Sequence, residues 1–317
     1  MVGEVWSVLM GSGSAFQDAS NPVPVFKVGN PGDAGVLEIT DLIFTVRGPA
    51  PGAVIMEWNV RDAAGKKGTV GIWDSHIRVG GFAGTNLEAD KCPSMVDTVN
   101  DQCRAAFLGM HVTKQASMFA SNVWIWVADH DLDYGSKQQI NIYNGRGWLV
   151  EAEQGPVWMY GTSSEHSILY QYNFQNSKNC LVALPQTETP YMQGTGFPTA
   201  TSVEPRNSAY NDPGFSCNPS TDTSCNKAWS TVVSNSSNIY FYGMGAYSFF
   251  DNYSQDCLND STCQRNIVDF LTPGANNYIY NLNTVGASVM VVKDGEDMVP
   301  ATPLRRGFTS TLAAWRP

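Results

Sequence analysis

Among the 29 acidic residues of the 317-residue chain, two glutamates have surroundings suited to acid chemistry. Glu165 lies in Gly161-Thr162-Ser163-Ser164-Glu165-His166, and Glu188 in Gln186-Thr187-Glu188-Thr189-Pro190-Tyr191. Each follows a strand-like run and has aromatic residues close by in sequence. A carboxyl in apolar surroundings loses hydration, rises in pKa and keeps its proton near neutrality. One such acid, with a second polar group acting on water or on the sugar carbon, is what cleavage of a glycosidic bond requires. The plainer reading makes both glutamates solvated loop carboxylates, and composition alone favours it.

Aromatic residues are the second signal. Trp124, Trp126, Trp148, Trp158, Tyr160, Tyr170, Tyr172 and Tyr191 crowd residues 124–191. Trp and Tyr combine an apolar face with a hydrogen-bonding tip, which suits the C–H faces and hydroxyls of sugars. Most of these rings are expected inside the fold; Trp158, Tyr160 and Tyr191 are the candidates for a sugar subsite. The cluster Asp129-His130-Asp131-Leu132-Asp133 falls short of a calcium loop, because Tyr134 precedes Gly135 and no closing Glu follows. It is expected to order a loop, with Asp129 and His130 offering hydrogen bonds to a sugar. No nucleophile elbow, phosphate loop or papain-like cysteine signature is present, so neither a cofactor nor a metal is expected.

Short strands must position these groups. Val36–Phe44, Val54–Trp58 and Gly71–Ile77 start 18 and 17 residues apart. A second series starts at Val123, Ile140 and Val157, again 17 apart, and continues through Ile168–Phe174 and Cys180–Leu184. Such spacing without helices fits a sandwich, an antiparallel barrel or a solenoid. Asn144-Gly145 and Asp294-Gly295 are hairpin candidates, but the first series carries no such turn, which favours a parallel β-helix. One short helix is expected at Ser261–Leu271, capped by Ser261 and Gln264 and stopped by Pro273-Gly274. Residues 201–237, rich in Ser, Asn, Thr and Pro, are expected to form a long surface loop held by a disulfide.

The bulk composition narrows the function. Hydrophobic residues at 43% and charged residues at 15% support a folded core. A net charge of −10 argues against nucleic acid and anionic membrane partners, and leaves a neutral polymer unaffected. Seven cysteines include the close pairs Cys92/Cys103, Cys217/Cys225 and Cys257/Cys263, with Cys180 left over in an apolar run as a buried thiol. Six cysteines permit 15 pairings, but closeness in sequence favours local bridges over a metal site. Sequons at Asn235, Asn252 and Asn259 join the cysteines in pointing to an extracellular, secreted protein, although no signal peptide is visible.

Several long motifs, in order, resemble glycoside hydrolase family 55. They are Val123-Trp124-Ile125-Trp126-Val127-Ala128-Asp129-His130-Asp131, Tyr143-Asn144-Gly145-Arg146-Gly147-Trp148-Leu149-Val150-Glu151, and Gly155-Pro156-Val157-Trp158-Met159-Tyr160-Gly161-Thr162. Ser164-Glu165-His166, Leu169-Tyr170-Gln171-Tyr172-Asn173 and Gln186–Tyr191 follow, and Val8–Ser14 and Gly29–Asp33 extend the match towards the N-terminus. The resemblance implies an all-β fold, the second of two tandem right-handed parallel β-helices of the pectate-lyase-like solenoid kind. Residues 1–110 would be a connecting part and first coils, and 111–317 the main helix with disulfide-held loops. The first helix would precede Met1, leaving the chain impaired as a catalyst and with an exposed apolar patch. It implies inverting, exo-acting hydrolysis of laminarin-type β-1,3-glucan by a monomer, with Glu188 as general acid and Glu165 on the water side. A non-catalytic β-helix that binds carbohydrate or serves a structural role is the alternative.

Overall fold

The computed structural model describes residues 1–133, 135–215, 222 and 224–317, without the side chains of Val5 and Trp6. Its repeating unit is a three-sided coil. Arg104–Val112, Met118–Ser121 and Trp124–Val127 form one turn. Tyr143–Val150, Val157–Tyr160 and Ser163–Glu165 form the next, followed by Tyr170–Gln175, Lys178–Ala183 and Gln186–Glu188. Each segment pairs in parallel with its counterpart one coil away. First segments build a nine-stranded sheet, and second and third segments build two faces of a 14-stranded sheet. The chain is therefore a parallel β-helix.

The bend between the second and third segments has a local cause. Asp41, Asp74, Asn122, Gly161, Leu184, Gly243 and Asn281 stand at equivalent places in successive coils, all with φ between 46° and 67°. Left-handed backbone turns the chain sharply, and Gly, Asn and Asp adopt it most readily. Leu184 is the exception, and its side chain is exposed.

Side chains alternate across each strand, so every second residue enters the coil. Ile125, Ser164, Thr187 and Ala246 point inward as one row of the stack. Trp58, Met110, Trp148, Tyr172, Phe174 and Phe270 are buried in the same core. Burial of this kind contributes about 25 cal/mol per Å² of apolar surface. The C-terminal end of the stack pairs antiparallel: Thr309–Trp315 runs against Tyr278–Val285, and Ala287–Lys293 against Glu296–Pro300.

Several expectations meet this architecture directly. Asp294-Gly295 makes the expected hairpin, both residues having positive φ. Asn144-Gly145 does not: it lies inside the strand Tyr143–Val150, where Asn144 Nδ2 donates to the Arg146 carbonyl and to Ser167 Oγ. Gly71–Ile77 is two strands, Val70–Trp73 and His76–Val79, broken at the Asp74 bend.

The helix expected at Ser261–Leu271 is instead the strand Gln264–Leu271. Ser261 has φ 57° and cannot cap, while Gln264 Nε2 donates to the carbonyls of Ala228 and Asn266. Val268 pairs with Thr231 on one side and Val291 on the other, and a slot between two strands overrides local helical periodicity.

Residues 201–237 are only partly a loop, since Trp229–Ser234 is a core strand. Their first part docks on the nine-stranded sheet. Arg146, with no exposed side-chain surface, donates from Nε to Asp212 Oδ1 at 2.8 Å and from Nη1 to Glu204 Oε1 at 2.7 Å. Tyr210 packs edge-on against Phe107.

Cys92–Cys103 and Cys257–Cys263 are disulfides, and Cys180 is a buried free thiol. Cys217, of the third expected pair, lies outside the described residues; Cys225 is disulfide-bonded. No helix among the described residues is long and apolar enough to cross a membrane.

Candidate functional site

Strand register brings the two glutamates together. On the third face Arg78, Trp126, Glu165, Glu188 and Tyr247 are partners on five successive coils. Two residues earlier, His76, Trp124, Ser163, Gln186 and Gly245 form the parallel row. Both rows point away from the core, because the intervening residues fill it. Twenty-three positions apart in sequence, Glu165 and Glu188 stand one rung apart in space, about 4.8 Å between strands.

Their partners draw the carboxyls in different directions. Glu165 Oε2 accepts from Trp124 Nε1 at 2.9 Å. Glu188 Oε2 accepts from the Tyr191 hydroxyl at 3.0 Å and lies 3.4 Å from His166 Nε2, and Gln186 Nε2 donates to Glu188 Oε1 at 3.3 Å. Glu165 is 7% exposed, whereas the Glu188 side chain is 20% exposed. Burial, assisted by the charge of Glu188 and opposed by His166, Trp124 and Gln186, pushes Glu165 up to about 7. Tyr191 is pushed up first by burial and then by Glu188 and Asp129, so its hydroxyl stays a donor.

His166 is the central residue that the sequence did not single out. It follows Glu165 directly, and its left-handed backbone (φ 66°) turns its ring under the pair. Nδ1 donates to the Val127 carbonyl at 2.9 Å, leaving Nε2 to face Glu188. Burial works against its charge, but the Glu188 hydrogen bond and the charges of Asp129, Glu165 and Glu188 push it up to about 9. A buried cation thus sits between anions. In sequence its only signal was its place beside Glu165.

Asp129 belongs to this network. Its Oδ1 accepts from Trp126 Nε1 at 3.1 Å and stands 4.0 Å from His166 Nδ1, and its Oδ2 is 2.6 Å from His130 Nδ1. His130, more than a third exposed, is at the rim. Asp131 has a loop-ordering part, accepting from the backbone amides of Ala89 and Asp133. Tyr191 packs against His166, Phe250 and Tyr253. Trp158 and Tyr160 stand apart: they point out from the second face, beyond the Gly161 bend, in rung with Leu181 and Ala183.

The fold and this face define a parallel β-helix that carries paired carboxyl groups, Glu165 and Glu188, on an outer face. Over 316 residues, 99% of the chain, it is 45% identical to a probable glucan endo-1,3-beta-glucosidase of Arthroderma benhamiae, covering 35% of that protein. It is 39% identical over 304 residues to a glucan 1,3-beta-glucosidase of Cochliobolus carbonum, covering 94% of this chain and 37% of that one. A Penicillium expansum protein named non-secreted LysM effector LysM15 is also 39% identical, over 99% of the chain and 21% of its own length. Among solved structures, sacteLam55A from Streptomyces sp. SirexAA-E aligns with a TM-score of 0.52 at 15% identity, over 92% of this chain and 48% of that one, a likeness of fold. No family model matches. The similarity to these two glucosidase-named proteins therefore extends over almost the whole chain, which spans about a third of their length.

Proposed function

We propose that the chain hydrolyses β-1,3-glucan from the non-reducing end, with Glu188 as general acid and Glu165 on the water side. The carrying observation is the register that sets Glu165 against Glu188 on an outer face lined by tryptophan and tyrosine. The two names for glucan glucosidases among its relatives support the substrate. Glu188, the more exposed of the two, is the carboxyl a glycosidic oxygen can reach; Glu165 is buried and hydrogen-bonded to Trp124. In the free protein burial pushes Glu165 up to about 7, so it holds its proton below that pH. In the proposed step Glu188 gives a proton to the departing glycosidic oxygen, while Glu165, when ionised, takes one from the attacking water. Inversion requires the two carboxyl groups to stand about 6.5–9.5 Å apart, with that water between them.

Exo action is supported by an asymmetry of the face. Towards the N-terminal coils Trp126 is 6% exposed, and the Arg78 guanidinium lies 5.3 Å from its ring centre and 4.4 Å from that of Phe82. Towards the C-terminal coils the row continues with the part-exposed Tyr247. The disulfides suit an oxidising, extracellular setting.

The test is hydrolysis of laminarin by the protein carrying this chain, with the product anomer followed by NMR. Free glucose appearing first as the α-anomer is expected, with kcat lowered at least about 100-fold in Glu188→Gln. Oligosaccharides as first products would indicate endo action, β-glucose would indicate retention, and full activity of Glu188→Gln would remove the acid assignment.

A further inference from the structure

The face continues past Glu188 along the coil axis. Tyr247, the next-rung partner of Glu188, has its ring 5.5 Å from that of Phe249. Phe249 in turn lies nearly parallel to Phe308, 13° between planes and 6.3 Å between centres. Phe308 is 62% exposed. It sits at the tip of the C-terminal hairpin, between Arg305–Arg306 and Thr309–Trp315, after Gly307 with φ 71°. The hairpin is anchored: its long strand pairs with Tyr278–Val285, and Arg305 donates to the carbonyls of Leu258 and Asn259.

Hairpin tips favour Gly, Asn, Asp and Ser; here the tip carries a phenylalanine stacked on Phe249, so the pair presents an apolar surface that a ligand would cover. Its position says which. The row Glu188, Tyr247, Phe249, Phe308 leads away from the carboxyl pair on one side, and Trp126 and Arg78 occupy the rungs on the other. A chain whose scissile bond lies at Glu188 and that follows this row reaches Phe308. Its sugar rings are uncharged and present apolar faces, which match aromatic rings.

We propose that Phe249 and Phe308 form a distal stacking subsite for a glucosyl unit of β-1,3-glucan, separate from the carboxyl pair, which favours long chains over short ones. This rests on the reading of Glu165 and Glu188 as the hydrolytic pair. It places the grip on the polymer at the chain's C-terminal hairpin, well away in sequence from the groups that cut.

The test measures binding of laminari-oligosaccharides from two to eight units by calorimetry, with hydrolysis of the disaccharide alongside. Phe308→Ala is expected to weaken the longest oligosaccharide about tenfold, a loss of about 1.4 kcal/mol, while binding and turnover of the disaccharide stay within twofold. Phe308→Trp should restore long-chain affinity. Equal weakening of short and long chains, no change in either, or a wild-type protein that binds both equally would overturn the subsite. Since Phe308 is exposed, its truncation leaves the fold intact, and melting of the variant confirms this. Activity persisting in Glu188→Gln would instead refute the hydrolytic pair, leaving the chain-length dependence of binding to be judged separately.

Discussion

Replacing Glu188 by Gln should lower the pKa of its neighbour. Glu165 titrates at about 7 because burial and the charge of Glu188 together outweigh His166, Trp124 and Gln186. Glu188→Gln keeps the shape and removes the charge. At a rung separation of about 4.8 Å, two unit charges repel by about 3.5 kcal/mol at an effective dielectric of 20 and by about 0.9 kcal/mol in water. With one carboxyl buried and the other 20% exposed, the pair lies between these limits. At 1.36 kcal/mol per pKa unit, the Glu165 midpoint should fall from about 7 by between about 0.6 and 2.5, to between about 4.5 and 6.4. Carbon-13 NMR of labelled glutamate side chains reads the midpoint directly. His166→Gln removes a cation and should move the same midpoint the other way, above 7. The opposite signs separate electrostatic coupling from a general loosening of the site, which would drive both variants towards the solvent value. A Glu165 midpoint unmoved by Glu188→Gln, or raised by it, would refute the coupling.

Three further outcomes follow from the same structure. Stability should decline as pH rises from about 4.5 to 9, because both shifted groups bind a proton more tightly folded than unfolded. The contribution of Glu165, raised from 4.5 to about 7 by burial first, is present below 4.5 and lost as pH passes 7; that of His166, raised from 6.5 to about 9 by its anionic neighbours against burial, is present below 6.5 and lost as pH passes 9. Urea titrations should show wild type losing about 3 kcal/mol relative to Glu165→Gln between pH 4.5 and 8. Arg146→Ala should cost about 3–5 kcal/mol by stranding the Asp212 and Glu204 carboxylates, and Arg146→Met with Asp212→Asn should recover part of it; thermal melts at pH 7 measure both. Leu184→Asn should stabilise by about 1 kcal/mol in the same denaturation assay, because an exposed leucine at φ 54° gives way to a residue that accepts that conformation.

Much of the fold was legible because a strand's chemistry is local. Val36–Phe44 and Val54–Trp58 announced themselves by β-branched and aromatic content, and the spacing of the strands announced stacked coils. Asp294-Gly295 and two disulfides were legible for the same reason. What stayed hidden depends on neighbours distant in sequence. Ile267, Phe270 and Leu271 fit a helix until Val291 and Thr231 flank the segment as strand partners. Leu184 gave no sign of a bend, since only its alignment with Asn122 and Gly161 reveals the required conformation. At the site, the motifs that resemble the family supplied Glu165 and Glu188, yet His166 gained its importance from Val127, Asp129 and Glu188, which three different stretches of chain deliver. Trp158 and Tyr160 looked close to Glu165 in sequence, but a single bend at Gly161 turns them onto another face.

That bend has a further consequence for how such a protein can vary. Two residues separate the second and third segments in each of three successive coils: Asn122-Val123, Gly161-Thr162 and Leu184-Pro185. After the third segment the count is free: residues 128–142, 166–169, 189–228 and 248–263 connect to the next coil. One residue added at the fixed corner would reverse the parity of the following strand and turn its outward row into the core. A residue added at the free corner changes only a loop, and those loops carry Asp129, His130, Tyr191, Phe249 and Tyr253. Length variation is thus delivered to the rim of the carboxyl pair while the pair itself is held in phase, so descendants of one scaffold can exchange the surroundings of the reaction without disturbing its centre.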